Sequence, residues 1–273
     1  MSTLTTDPTT DLLRWRTERE TVLRQPHGWL SLVGLHALTS TPSTVPGLPG
    51  QWWTDGDDAF VQASAGLSHP HTREPLDDTW RGAVGEGLST LAATFVPTGR
   101  ADEDRVVVEL VRRTGRLYLR VRDPLAAPRQ DFVGVRAFPY DPAWVLDVPV
   151  RWYDEPVEVT VGAAQRGLVH RVRLVGEIDV EREGVAHTLR LTAGHAPGSA
   201  GVLFSDEAED LAPWRVLSVD ADTSADTLRV DLNRTINLPY AFSDFGTCPA
   251  PVQGNHLPFA VRAGERDPRG AAS

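Results

Sequence analysis

Residues 231–265 hold most of the side chains in this chain that could do chemistry. The stretch combines three asparagines, four prolines and the chain's single cysteine with several charged residues. Such a mixture is unlike a packed strand or helix and unlike a disordered tail. It indicates an ordered polar loop, which is the usual place for a binding or catalytic site.

Covalent chemistry in this stretch would depend on Cys248. Its thiol could act as a nucleophile with His256 or Glu265 as the base, because thiolate chemistry needs a base or a positive field. The favoured alternative is that Cys248 is a small buried hydrophobic residue. Glu265, His256 and Cys248 are therefore the candidate catalytic residues.

The polar side chains of the same stretch offer ligand binding instead. Asp231 and Asn233 would point to one face if a strand ends here, and Asn237 and Asn255 follow in the loop. The favoured alternative is that these side chains bind backbone groups of the loop, as Asn and Asp often do. Its prolines lack N–H groups, so some carbonyls need other donors.

A second polar group lies in the middle of the chain, at Arg120, Arg122, Asp123, Arg129 and Asp131. Arginines there could bind a carboxylate or phosphate through two hydrogen bonds. They could equally lie on the solvent face of a strand, in surface ion pairs of little energy. The candidate ligand-binding residues are thus Arg120, Asp123, Arg129, Asp231, Asn233, Asn237 and Asn255.

Signatures of metal sites and serine hydrolases are weak. His69 and His71 are separated by Pro70, which favours a solvated loop over a metal site. Ser31 does not lie in a Gly-x-Ser-x-Gly elbow, and residues 198–201 miss that pattern too. We predict no metal and no cofactor.

The composition narrows the class of protein. A net charge of −10 argues against nucleic-acid and anionic-membrane partners, which reward a basic face. One cysteine excludes an intrachain disulfide and a cysteine-based zinc cluster. No secretory signal or long apolar run is recognisable, so we expect a soluble cytoplasmic protein.

One helix is predicted at residues 11–25, where apolar residues form a single face, with Thr9, Thr10 or Asp11 as its cap. Residues 29–38 are interpreted as a second helix or turn, and residues 47–53 as a loop. Strand patterns then dominate, many of them alternating and separated by turn residues. Predicted strands lie at 59–63, 91–96, 105–112, 116–122, 145–152, 157–161, 168–175, 186–192, 202–205, 215–219 and 227–232.

These elements predict a mainly β fold. Short strands at hairpin spacing, without helices between them, favour a single antiparallel β-barrel or a strongly curved meander sheet. One or two N-terminal helices precede it and a long ordered C-terminal loop follows it. We predict one domain at residues 11–265, with flexible ends at 1–10 and 266–273.

The C-terminal motifs resemble those of the bacterial family catalogued as domain of unknown function 1684. The matching residues are Asp231, Asn233, Arg234, Asn237, Pro239, Ala241, Phe242, Thr247, Cys248, Pro249, Pro251, Asn255, Leu257, Ala263, Gly264 and Glu265. Residues 28–35 and 115–141 also resemble the family. Tyr240 stands where the family has Cys, and residues 210–215 replace a Thr-Tyr-Gly-Gly-Gly-Arg-like turn, so the resemblance implies a divergent member. It implies no reaction.

The leading hypothesis is a small-molecule-binding β-barrel whose pocket is formed by the C-terminal polar loop and the central arginines. One alternative is an enzyme, a hydrolase or isomerase, with an acid or base in the same pocket. A second is a protein-interaction module. The expected partners are a small-molecule ligand and, through open sheet edges, a second copy in a homodimer.

Overall fold

The computed structural model describes residues 7–62, 66–76, 78–194 and 196–270. The chain divides into two compact units. The nine-strand unit comprises Val22–Phe132 and Ser243–Gly246, and the six-strand unit comprises the described parts of Met1–Thr21, Val133–Phe242 and Thr247–Ser273. The single domain predicted for residues 11–265 stays a prediction.

The nine-strand unit contains two antiparallel sheets. The strands described are β1 (Leu32–Ala37), β2 (Ser43–Thr44), β3 (Gln51–Asp55), β4 (Asp58–Gln62), β5 (Leu67–Ser68), β6 (Thr79–Ala83), β7 (Ser89–Phe95), β8 (Val106–Arg113) and β9 (Arg116–Arg122). The strand order is β1-β9-β8-β7-β5 in one sheet and β2-β3-β4-β6 in the other. A short helix, α2 (Ala127–Gln130), follows β9 in the chain.

Both sheets contribute to one hydrophobic core. Trp52 and Val61 come from the four-stranded sheet, and Leu110 and Leu119 from the five-stranded sheet. The predicted alternation on β9 is present, but its second face, which carries Arg120, is buried too. The alternative that placed Arg120 and Arg122 on a solvent face is therefore wrong.

The six-strand unit is a single antiparallel sheet. Its strands are β10 (Val145–Gly162), β11 (Val169–Arg182), β12 (Val185–Ala193), β13 (Ser199–Phe204), β14 (Arg215–Asp220) and β15 (Thr227–Asp231). The strand order is β14-β13-β12-β11-β10-β15. The edge strands β14 and β15 approach each other, so the sheet is nearly closed and barrel-like. The mainly β, antiparallel fold class is thus confirmed.

Helix α1 (Pro8–Leu23) begins three residues before the predicted start. The reason is its cap, because the Asp7 carboxylate accepts a hydrogen bond of 3.0 Å from the Thr10 N–H. Most of α1 belongs to the six-strand unit. No helix in the described part of the chain is long and apolar enough to cross a membrane.

Three sequence expectations differ from the structure. Residues 29–38 form a 3₁₀ turn (Trp29–Ser31) followed by strand β1, because pairing with β9 overrides the local helical pattern. The expected loop at 47–53 ends in strand β3. The two strands expected at 145–152 and 157–161 are one strand with a register shift between Trp152 and Val157, where Pro156 cannot donate a ladder hydrogen bond.

After β15 the described chain forms 3₁₀ turns and isolated bridges rather than strands, as the predicted long ordered loop requires. Leu257, Val261 and Ala263 from this loop are fully buried in the core of the six-strand unit. The loop therefore fills the sheet's interior. Beyond it, the Arg266 and Asp267 N–H groups donate to the carbonyls of Arg136 and Asp210.

A buried arginine holds this loop. Arg215 donates to the carbonyls of Val261, Ala263 and Glu265 at 3.1, 2.6 and 3.0 Å, and to Asp206 Oδ2 at 2.9 Å. The Asp206 carboxylate also accepts from the Val261 N–H at 3.0 Å. Both side chains are only 1% exposed, and this burial lowers the pKa of Arg215.

Arg215→Met should lower the free energy of unfolding by about 3–5 kcal/mol, because it leaves the Asp206 carboxylate buried without its counter-ion. Urea unfolding at neutral pH measures the loss. The matched control is Arg229→Met, which removes a surface ion pair whose side chains are 69% and 62% exposed and should change stability by under about 1 kcal/mol. Equal effects of the two substitutions would contradict the role assigned to Arg215.

Candidate functional site

The predicted site residue Asn255 is buried between two strands of the six-strand unit. Strands β12 and β13 pair only at Thr192–Gly201 and Ala193–Ala200 and then separate. Asn255 fills the gap: its Oδ1 accepts from the Arg190 N–H at 2.9 Å, and its Nδ2 donates to the carbonyls of Arg190 and Leu203 at 2.9 and 2.8 Å. The amide thus replaces missing strand-ladder hydrogen bonds.

Asp231 and Asn233 also bind backbone. Asn233 Oδ1 accepts from the Asp141 N–H and its Nδ2 donates to the Asp141 carbonyl, both at 3.0 Å. Asp231 Oδ1 accepts from the Asn233 N–H at 3.0 Å and from its Nδ2 at 2.9 Å. The arrangement is the backbone-binding alternative, with the carboxylate orienting the amide.

Glu265, Asn237 and Arg19 form a buried network within the six-strand unit. The Glu265 carboxylate accepts from Arg19 Nε at 2.9 Å and from the Asn237 N–H at 2.6 Å. Arg19 also donates to the Asn237 carbonyl at 2.8 Å, and Asn237 Nδ2 donates to the Arg266 carbonyl at 2.7 Å. A carboxylate that already accepts from an arginine and a backbone N–H suits anchoring of α1 more than proton transfer.

Cys248, His256 and Glu265 are the predicted nucleophile and its candidate bases. Cys248 is half-buried and its carbonyl accepts from the Ala164 N–H at 2.9 Å. Burial is the main cause that raises the pKa of Tyr240, and the negative charge of a Cys248 thiolate acts in the same direction. His256 lies at the surface, where its ring contacts Ser205 and Glu207. Glu265 and His256 are thus both engaged by other residues.

Arg120 lies under Trp29 in the nine-strand unit. Its guanidinium is 5.4 Å from the Trp29 ring centroid, and its Nη1 is 3.4 Å from Glu109 Oε2. Arg122 shares both partners, at 4.6 Å from the ring and 2.9 Å from Glu109 Oε1. Burial is the main cause that lowers the pKa of Arg120 to about 10, with the neighbouring arginine charges adding to it.

Arg129 holds the chain that follows α1. It donates to the carbonyls of Arg24 and Gln25 at 2.9 and 3.2 Å and to the Pro124 carbonyl at 2.7 Å. Carbonyls at a helix C-terminus lack partners within the helix and favour a cation. Arg129 therefore fixes the turn between α1 and β1.

Asp123, one of the central candidates, lines a cavity within the nine-strand unit. The cavity has a volume of about 300 Å³. Asp123 Oδ1 accepts from Arg100 Nη1 at 2.7 Å and from the Leu125 N–H at 2.8 Å. The wall is otherwise mostly apolar: its residues are Val33, Gly34, His36, Pro46, Gly47, Phe95, Pro97, Arg100, Val106, Val121 and Asp123.

His36 reaches this cavity because of a local irregularity in β1. The pairing with β9 shifts register between Leu32 and Gly34, which makes Val33 a bulge. A methyl group on Gly34 would lie 2.7 Å from His36 Nε2, so the imidazole occupies space that only glycine leaves open. Sequence reasoning did not select His36, which lies among apolar residues, or Arg100, which precedes a charged run at 102–105 that is typical of a solvated loop.

The charges in this cavity balance. Burial lowers the pKa of His36, so its imidazole is neutral at neutral pH. The hydrogen bond from Arg100 to Asp123 raises the pKa of Arg100, so these two groups form an ion pair. The lining therefore carries no net charge at neutral pH.

The six-strand unit has an open groove of about 530 Å³, which includes Asn255 among its lining residues. Charged side chains of both signs line it, among them Glu177, Asp179 and Arg190. Hydrogen bonding from Arg151 lowers the pKa of Asp179 to about 2. The groove is a solvated polar surface in which carboxylates and guanidinium groups already pair.

Metal-ligating groups are not gathered together in the described residues. His69 lies in a turn where its N–H donates to the Glu74 carbonyl at 2.8 Å. Across residues 7–62, 66–76, 78–194 and 196–270, no group of three or more His, Cys, Asp or Glu side chains is placed to hold a metal ion.

Comparison with known families identifies the family of this chain. The family described as "Protein of unknown function (DUF1684)" matches residues 130–266. The chain belongs to this family. The DUF1684 match contains Arg215, Asn233, Asn255 and Glu265, whose side chains hold the six-strand unit together, whereas the cavity residues His36, Arg100 and Asp123 precede it.

Other comparisons add little about function. No curated protein matches the chain. One similar solved structure is the solution NMR structure of an uncharacterized protein of Haloarcula marismortui. It is 25% identical, the match covers 50% of this chain and 78% of that chain, and the TM-score is 0.43.

The role of Asn255 can be tested with one isosteric change. Asn255→Asp should lower the free energy of unfolding by at least about 2 kcal/mol, because it removes two buried donor hydrogen bonds and buries a charge. Urea unfolding measures the effect. Gln253→Glu, the same amide-to-acid change at an exposed position of the same loop, is the control and should change stability by under about 0.5 kcal/mol. A stable Asn255→Asp variant would show that the amide is free for a ligand.

Proposed function

We propose that this protein binds a small uncharged molecule, with an apolar body and one hydrogen-bonding group, in the cavity of the nine-strand unit. The observation that carries this proposal is the convergence of His36, Arg100 and Asp123 on an otherwise mostly apolar wall. Small-molecule sites have this composition, with volumes of about 300–1,000 Å³. The cavity of about 300 Å³ lies at the small end.

The charge balance selects the class of ligand. A carboxylate ligand would have to compete with Asp123 for Arg100, which is held at 2.7 Å. A cationic ligand would have to displace Arg100 from Asp123. A neutral molecule needs neither change, and the neutral His36 imidazole can donate or accept one hydrogen bond.

Binding without catalysis is favoured over an enzyme in this cavity. Its lining residues include no serine, threonine or cysteine that could act as a nucleophile. His36 and Asp123 could transfer a proton, but Asp123 is already bound by Arg100 and the Leu125 N–H. Few polar groups, most of them already satisfied, are typical of a binding protein.

Ligand binding is tested first with the neutral fluorescent probe N-phenyl-1-naphthylamine. Wild-type protein should bind it saturably, and Val33→Trp should weaken binding at least about tenfold, because the larger ring obstructs the cavity wall. Fluorescence titration measures the dissociation constant. A library of neutral metabolites is then screened for compounds that displace the probe, and these compounds identify the ligand class.

The matched control is Val133→Trp, the same substitution at a residue that is 92% exposed in the other unit. It should leave the dissociation constant unchanged. Equally strong probe binding by Val33→Trp and the wild type would contradict the proposal. The proposal would also be contradicted if the wild type bound no probe and no library compound raised its melting temperature.

The burial of His36 predicts a pH dependence of stability. Because the pKa of His36 is lower in the folded protein than its ordinary value of 6.5, the unfolded chain binds more protons below that pH. Stability should therefore fall as pH decreases through about 6.5. His36→Gln should remove this part of the fall between about pH 7.5 and 5.5.

Urea unfolding across this pH range compares the wild type with His36→Gln and with His71→Gln, which changes an exposed histidine. His71→Gln should follow the wild-type curve. Parallel curves for His36→Gln and the wild type would show that His36 titrates normally and is not desolvated in the cavity.

A further inference from the structure

A chain of three hydrogen-bonding side chains lies at the surface of the six-strand unit. Ser205 Oγ is 3.0 Å from His256 Nδ1, and His256 Nε2 is 2.7 Å from Glu207 Oε1. The imidazole therefore lies between a hydroxyl and a carboxylate. A nucleophile, a base and a group that orients the base require this order of contacts.

The backbone fixes Ser205 and His256 beside each other. The two residues form a parallel bridge, in which the Ser205 N–H donates to the Asn255 carbonyl at 3.1 Å and the Leu257 N–H donates to the Ser205 carbonyl at 2.9 Å. Leu257 is fully buried. The distance between the hydroxyl and the ring is thus set by ordered chain on both sides.

Glu207 is placed by the buried ion pair described above. Ser205 and Glu207 flank Asp206, whose side chain points inward to Arg215. The chain bends at Glu207, and the side chains on both sides of Asp206 reach His256. The Glu207 N–H donates to the Phe259 carbonyl at 3.3 Å, which fixes the end of this segment.

The carboxylate determines the proton positions. An ionised Glu207 only accepts hydrogen bonds, so His256 Nε2 carries the proton that it donates to Glu207. Nδ1 of the neutral ring then has a lone pair and accepts the Ser205 hydroxyl proton. This is the tautomer that a general base for Ser205 needs.

We propose that Ser205, His256 and Glu207 hydrolyse small carboxylic esters, with Ser205 as nucleophile, His256 as general base and Glu207 as a positioning residue. The side chains of His256 and Glu207 are 51% and 60% exposed, so a substrate reaches them without opening the fold. The polar groove of this unit includes residues 253–255, which precede His256 in the chain, among its lining residues.

The reaction balances without a cofactor. Ser205 Oγ attacks the ester carbonyl carbon as its proton passes to His256 Nδ1. The tetrahedral adduct collapses, the ester C–O bond breaks, and the leaving alkoxide takes the proton from His256. A water molecule then attacks the acyl-serine, again with His256 as base, which releases the carboxylic acid and restores the Ser205 hydroxyl.

The first experiment measures hydrolysis of p-nitrophenyl acetate by the full chain. Ser205→Ala and His256→Asn should each lower kcat/KM at least about a hundredfold, as expected when a nucleophile or general base is lost. Ser199→Ala changes another serine of the same sheet, whose hydroxyl binds the Ala196 carbonyl, and should keep the wild-type rate. Melting temperatures verify that each variant is folded.

A second experiment uses a fluorophosphonate and mass spectrometry on the wild type. Label on Ser205 supports the proposal, whereas label elsewhere or no label overturns it. A rate that survives Ser205→Ala but not His256→Asn would show direct attack by the imidazole, which also overturns it.

Glu207→Gln should lower kcat with little change in KM or melting temperature, and Glu207→Asp should restore part of kcat. A change in KM alone would show that Glu207 does not position His256.

Discussion

The six-strand unit depends on a buried ion pair between Arg215 and Asp206. Removing two charges from water is costly unless they pair closely and their remaining hydrogen-bonding groups are satisfied. Here the guanidinium also binds three carbonyls and the carboxylate binds two N–H groups. All of these backbone groups lie outside the six strands of the sheet. The pair therefore replaces the hydrogen-bond ladder that the sheet cannot supply there.

Asparagine solves the same problem elsewhere in the unit. Asn233 and Asn255 each present an acceptor and a donor to a single residue of another segment, Asp141 and Arg190. A primary amide has the same donor and acceptor groups as a peptide unit, so it can end or bridge a strand without adding one. A loop built this way carries a high density of polar residues for structural reasons. This explains why residues 231–265 resemble a site in composition while their amides hold backbone.

The sequence predicts the fold better than it predicts the cavity. The segments expected to be strands after residue 58 are all in strands, because alternation and turn residues are local signals. The bounds are less accurate: β11 runs to Arg182 instead of 175, and two expected strands are joined in β10. Strand β1 was not predicted, because the apolar segment 29–38 that contains it also fits a helix or turn. Only pairing with β9 decides between a helix and a strand there. The cavity depends on a bulge at Val33 and on the missing side chain of Gly34. Neither feature produces a cluster of polar residues, so composition gives no signal for His36 or Arg100.

The segment around Asp206 shows how one short stretch can serve both structure and chemistry. Asp206 points inward to Arg215, whereas Ser205 and Glu207 on either side of it contact His256. The inward side chain makes the backbone rigid, and rigidity is what a nucleophile and its base require, because their separation must be held within a few tenths of an ångström. His256 stands between Asn255 and Leu257, whose side chains are both buried. These two residues hold the backbone, and His256 presents its imidazole at the surface. A substitution at residue 256 can therefore change the surface chemistry of the unit without altering the interactions that hold its fold.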